Sequence, residues 1–67
     1  MTIIFNGSPL SVPKEIVTLS DLAKFKNVPS QGAAVAVNDK LVKRDLWEVT
    51  KLNELDNITV ITAAYGG

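Results

Sequence analysis

Five consecutive β-branched residues, Ile58-Thr59-Val60-Ile61-Thr62, constrain this chain more than any other stretch. Side chains branched at Cβ are stiff at χ1 and pack well on a pleated sheet, so the segment is a strand. A strand so apolar needs neighbours on both edges and a cover on one face, and the other residues must supply them. Thr2-Ile3-Ile4-Phe5 reads as a second apolar strand, and the Asn6-Gly7 that follows is the most favourable dipeptide for a two-residue hairpin. Ser8 to Val12 then returns antiparallel. Pro9 cannot donate to a ladder, which places this strand at a sheet edge, and Pro13 closes it.

The cover comes next. Thr18 is a helix N-cap with Asp21 at the third helical position, and Val17 and Leu22 stand where a hydrophobic staple would join them. The helix runs from about Leu19 to Lys26, with Leu19, Leu22 and Ala23 on one face and Phe25 at its margin. Asn27, Pro29, Ser30 and Gly32 end it in a loop. Ala33 to Val37 is a third strand, with Val35 and Val37 on one side and Ala34 and Ala36 on the other. Asn38-Asp39 turns the chain into a short fourth strand, Lys40-Leu41-Val42. The stretch from Lys43 to Thr50 holds Leu46 and Trp47 without the apolar periodicity of a long helix, so one tight helical turn is expected there. Leu52 and Leu55 bracket Asn53-Glu54, and Asp56-Asn57 forms the turn into the last strand.

For the first and last strands to share one small sheet they lie side by side and parallel, with the helix on one face. Alternation then sorts the side chains: Ile3, Phe5, Ile58 and Val60 face the helix, while Ile4, Thr59, Ile61 and Ala63 face outward. Ile4, Ala34, Ala36, Ile61 and Ala63 give the open face a mildly apolar patch, the kind of surface that docks a partner.

Several function classes are excluded by what the chain lacks. Among its 67 residues there is no cysteine, hence no disulfide, thiolate nucleophile or Cys-based metal site, and no histidine, the commonest general base. Seven basic and seven acidic residues balance, so neither nucleic acid nor an anionic membrane is the expected partner. No apolar run approaches the ~20 residues of a membrane span, and Met1 leads directly into a strand, so the expected compartment is the cytoplasm.

Beyond Thr62 the side chains shrink. Ala63 and Ala64 have little to pack, Tyr65 is the last large group, and Gly66-Gly67 end the sequence. With glycine at about 7% of residues, a terminal Gly-Gly arises by chance in roughly 0.5% of chains. A carboxylate on two glycines has no Cβ near its carbon, adopts backbone angles closed to other residues and can thread a narrow channel. Its reference pKa of about 3.5 makes it an anion and a poor electrophile at neutral pH. Conversion by ATP to an acyl adenylate would let the glycine carbonyl accept sulfur or an amine with little hindrance. A frayed terminus without a role is the other reading.

Taken together, the Asn6-Gly7 hairpin, the Ala33-Ala34-Val35-Ala36-Val37-Asn38 strand, Val42 followed by Arg44 and Trp47, the Asp56 turn and the terminal Gly66-Gly67 resemble the ThiS family, the sulfur carriers of thiamine biosynthesis. The resemblance spans essentially the whole chain. It implies an α+β, ubiquitin-like β-grasp fold: a mixed sheet of four to five strands with one main helix packed on one face, a single domain over residues 1–67, and a flexible tail at 63–67. It also implies a mechanism. A ThiF-like adenylating enzyme uses ATP and magnesium to activate the Gly67 carboxylate. Sulfur originating from cysteine, supplied by a donor such as a cysteine desulfurase, replaces the adenylate and leaves a thiocarboxylate. A ThiG-like thiazole synthase receives that sulfur. Gly67 is then the reacting residue, Gly66 the permissive one behind it, and Tyr65 and Ala64 complete the tail. Such a carrier is no enzyme: it needs no catalytic side chain, metal or permanently bound cofactor, and it is a monomer when free.

Two positions depart from the family pattern. Tyr65 stands where a small residue is usual, and Leu55 where the Glu-Gly-Asp turn has glycine, which suggests an altered turn before the last strand. Arg44 with Asp45 reads either as part of the adenylating-enzyme interface or as a solvated pair worth about 0 to 1 kcal/mol. Trp47 reads as a core residue, since a domain this small needs the apolar area one Trp can bury. The small subunit of molybdopterin synthase, a lysine-conjugating ubiquitin-like modifier and an inert interaction module are the alternative functions.

Overall fold

Asn6 and Gly7 both lie in the left-handed region, at φ 49° and 84°, the pair of angles that a two-residue hairpin turn matched to the natural strand twist requires. They join β1 (Thr2–Phe5) to β2 (Ser8–Ser11) with Phe5 opposite Ser8. Asn38 and Asp39 repeat the device at φ 52° and 70° between β3 (Ala33–Val37) and β4 (Lys40–Val42). The computed structural model describes residues 1–29 and 31–62. Its last strand, β5 (Asn57–Thr62), occupies the centre of a five-stranded sheet in the order β2-β1-β5-β3-β4. β5 runs parallel to β1 and antiparallel to β3, and the two hairpins form the wings. The edge position of the Pro9 strand and the parallel pairing of first and last strands match the expectation from sequence.

Helix α1 (Leu19–Phe25) lies across one face. Thr18 caps it: its hydroxyl accepts from the Asp21 N–H at 3.1 Å, and the Asp21 carboxylate accepts from the N–H groups of Thr18 and Val17, both at 3.1 Å. Those backbone donors hold the Asp21 carboxyl below its ordinary value of 3.8. Val17 contributes its backbone here, and its side chain stays 47% exposed, so the expected staple onto Leu22 buries little. The helix ends one residue earlier than the spacing suggests. Asn27 takes a left-handed φ of 55°, and the N–H groups of Val28 and Asn27 close onto the carbonyls of Ala23 and Lys24, a termination that satisfies the last carbonyls of the helix.

The core lies between sheet and helix and is built on Ile3, Leu19, Leu22, Val35 and Ile58, all at most 1% exposed. Val12, Ala23, Trp47 and Leu52 complete it, with Phe5, Val37 and Val60 packed against its margin. Trp47 follows a 3₁₀ turn over Arg44–Leu46, the tight turn expected there, and its indole Nε1 donates to the Val42 carbonyl at 3.0 Å. It is a core residue with its polar atom satisfied.

The connection into β5 differs from expectation. The turn is centred on Glu54-Leu55, and Asn57 already belongs to the strand. Asp56 is the reason: it is buried, and its carboxylate takes the Asn53 N–H at 2.8 Å and the Asn38 side-chain amide at 3.0 Å. Leu55 adopts φ 65°, so a leucine occupies a glycine-type conformation.

Four outcomes follow from this packing. Leu55→Gly relieves a left-handed leucine and raises stability by about 1 kcal/mol, a rise of several degrees in Tm by calorimetry. Asp56→Ala leaves the partly buried Asn53 N–H and Asn38 amide without their acceptor and costs about 1 kcal/mol in urea denaturation. Thr18→Ala costs about 1 kcal/mol. Because the Asp21 carboxyl is depressed in the folded state, its capping contribution is complete above the usual aspartate range. It is lost as pH falls through the depressed value, and Asp21→Asn flattens that part of the stability–pH curve.

Candidate functional site

Strand alternation leaves one face of the sheet without a cover. Its central rows are Ile4, Thr59 and Ile61, Ala34 and Ala36, with Pro9 beside Ile4 and Leu41 opposite Ala36. Ile61 is 63% and Leu41 75% exposed. No described strand residue whose parity points to this face carries a charge. Small alanines set beside two protruding aliphatic chains make a shallow apolar surface, suited to a flat apolar partner face.

Leu41 is the member that sequence reasoning missed. The signal was available: a two-residue turn at Asn38-Asp39 pairs Val37 with Lys40 and therefore Ala36 with Leu41, on the outward side. Of the residues expected in the patch, Ile4, Ala34, Ala36 and Ile61 do share the face. Ala63, and with it the tail residues Ala64, Tyr65, Gly66 and Gly67, lie outside the described residues. Arg44 is not part of it. It lines a groove on the helix side with Ser20, Asp45, Trp47 and Glu48, continuous with a smaller one bounded by Ala23, Lys24 and Val28. Cations and carboxylates mix there, so the groove has no net preference for an anion or a cation.

The end of β5 that leads toward residue 63 is held from both sides. On one side Ala34 pairs with Ile61 and Ala33 with Thr62. On the other, β1 stops at Phe5, and Asn6 continues its work: the Asn6 N–H donates to the Ile58 carbonyl, and its Oδ1 accepts from the Val60 N–H, both at 2.8 Å. Asn38 does the same at the start of the strand, where its N–H reaches the Asn57 carbonyl at 2.7 Å and its Oδ1 accepts from the Asn57 N–H at 2.9 Å. Each hairpin's first turn residue thus lends a side-chain carbonyl to β5. The strand is fixed up to its last turnover of the ladder, and whatever follows Thr62 starts from a defined position and direction.

The described residues include no group of three or more His, Cys, Asp or Glu side chains that could hold a metal ion. No helix among them is long and apolar enough to cross a membrane.

This sheet order, with one helix on one face and parallel terminal strands at the centre, is the ubiquitin-like β-grasp fold. The chain belongs to the ThiS family of ubiquitin-like sulfur carriers, whose family model matches residues 3–67. It is 36% identical over 67 residues to ycf40, an uncharacterised protein of Pyropia yezoensis, covering all of this chain and 93% of that protein. The fold is also that of the crystal structure of the thiamine biosynthesis protein ThiS from Geobacter metallireducens, with a TM-score of 0.84 at 20% identity and full coverage of both chains. A solution structure of a thiamine biosynthesis protein from the same organism gives 0.84 at 22% identity, covering all of this chain and 88% of the other.

Because Ile61 and Leu41 are mostly exposed, Ile61→Asp and Leu41→Lys should each leave stability within about 0.5 kcal/mol of the parent. Urea midpoints measured side by side check this. A loss of several kcal/mol at either position would mean that the face is part of the core.

Proposed function

We propose that this carrier loads sulfur at the Gly67 carboxylate and delivers it to the assembly of the thiazole ring of thiamine. A ThiF-like enzyme, using ATP and magnesium, forms the Gly67 acyl adenylate with release of pyrophosphate. Sulfur from a cysteine desulfurase then displaces AMP, leaving a terminal thiocarboxylate, and a ThiG-like thiazole synthase consumes it. The observation that carries the reading is family membership over residues 3–67, a match that extends through Gly66-Gly67. The Geobacter relative of the same fold is a thiamine biosynthesis protein, which favours the thiazole route over molybdopterin synthesis.

The chain's own contribution is positional. Gly67 has no side chain to hinder attack at its carbonyl, and Gly66 lets the backbone enter a narrow channel. Ile4, Ala36, Leu41 and Ile61 form the face on which the adenylating enzyme docks. Arg44, on the helix side, lies away from this contact. A carrier of this kind acts in the cytoplasm, where the activating enzymes and ATP are found, and it is a monomer between loading and delivery.

Intact mass spectrometry after incubation with ATP, magnesium, a sulfur source and the adenylating enzyme tests the assignment. The expected product is heavier by the exchange of one oxygen for sulfur, located on Gly67 and absent from a chain lacking that residue. An unchanged mass with an enzyme proven active on another carrier would remove the assignment. Ladders of lysine conjugates in cell extract would favour the modifier reading instead.

A further inference from the structure

Asn6 is the only one of the five asparagines that precedes a glycine; the others precede Val28, Asp39, Glu54 and Ile58. A side chain on the following residue hinders the approach of its backbone nitrogen to the asparagine side-chain carbon, and glycine removes that hindrance. At Gly7 the surroundings are open too: apart from its two chain neighbours, nothing lies within 4 Å of where a Cβ would stand. Both residues are exposed. The Val60 N–H donates to Asn6 Oδ1 at 2.8 Å, which ties the side chain to β5 while the turn is closed. Asn38, in the equivalent turn, precedes the bulkier Asp39 and has both ends of its amide engaged, Nδ2 by Asp56 and Oδ1 by the Asn57 N–H.

We infer that Asn6 is a site of spontaneous deamidation, and that its hydrogen bonds to β5 set the rate. The Gly7 nitrogen attacks Asn6 Cγ: a C–N bond forms, the Cγ–Nδ2 bond breaks, and ammonia leaves with the proton from the Gly7 amide, giving a five-membered succinimide. Water then opens the ring at either carbonyl, yielding aspartate or isoaspartate. Water is the only co-reactant and nothing is oxidised or reduced. The left-handed φ of 49°, the bond from the Asn6 N–H to the Ile58 carbonyl and the bond from Val60 hold Asn6 in the turn. Reaction therefore proceeds from the locally opened hairpin, an event less costly than unfolding the whole domain.

The two products have different consequences. Aspartate keeps an oxygen in place for the Val60 N–H. Isoaspartate routes the main chain through the former side chain and adds a methylene to a turn that has room for two residues, so the bond to Val60 and the pairing of Phe5 with Ser8 are lost. If the tail reacts as proposed above, this product loosens the strand that presents it, a consequence that rests on that reading while the modification itself does not.

The test is incubation of the full chain at mildly alkaline pH, followed by intact mass, peptide mapping and methyl transfer by a protein isoaspartyl methyltransferase. The mass should rise by the replacement of an amide NH₂ with OH, and methyl acceptance should map to residue 6 alone. The separated isoaspartyl fraction should lose amide protection at Val60 in hydrogen exchange, whereas Asn6→Asp retains it. The native chain should react more slowly than the urea-unfolded chain, and the inference is overturned if the two react equally fast or if native Asn6 reacts only as fast as global unfolding allows. It is equally overturned if Asn27, Asn38, Asn53 or Asn57 reacts first.

Discussion

The structure depends on β5 being held from both sides at once. A strand of six residues between two hairpins has few ladder bonds to lose, and β1 reaches only part of its length. Asn6 and Asn38 make up the difference with side-chain carbonyls that accept β5 N–H groups. Both sit at the first position of a left-handed two-residue turn, where asparagine is one of the few side chains that tolerates positive φ. One residue type thus sets the hairpin and anchors the neighbouring strand. Asp56 ties the same region together by accepting from the Asn38 side chain and the Asn53 backbone, which links the two turns to the start of β5.

From this anchoring follows a division of labour between the faces. The inner face spends its apolar side chains on the helix, with Ile3, Val35 and Ile58 closed off from water. A fully buried side chain of this size contributes about 1.5 to 3 kcal/mol, which matters in a domain whose total stability is only about 0.05 to 0.15 kcal/mol per residue. The outer face spends almost nothing on stability and is free to serve a partner. Leu41 and Ile61 are exposed on it at no structural need, and Ile61 stands one residue before the end of β5.

Much of this was legible in the sequence because period and turn chemistry agreed. The β-branched run, Asn6-Gly7, Pro9 and the Thr18–Asp21 cap each had one reading, and the structure shows the corresponding strand, hairpin, edge and capping box. The turn before β5 was not legible in the same way. Asp56-Asn57 reads as a turn by composition, but Asp56 is buried by contacts with Asn38, 18 residues away, and long-range partners leave no local signature. Leu55 in a glycine conformation was equally hidden, since the turn is imposed by its neighbours. Arg44 with Asp45 reads from sequence as an interface pair or a solvated one, and the 3₁₀ turn sets it in a groove beside Ser20, Trp47 and Glu48, a tertiary direction that spacing does not encode. Leu41 was missed for want of following the Asn38-Asp39 register one pair further.

The most direct test of the account is ATP–pyrophosphate exchange by the adenylating enzyme, titrated with the parent chain, with Ile61→Asp and with a chain lacking Gly67. If the sheet docks and the terminus reacts, the deletion supports no exchange, while Ile61→Asp reaches the parent's maximal rate only at a higher carrier concentration. Exchange supported by the deleted chain, or an Ile61→Asp titration that overlays the parent's, would contradict it.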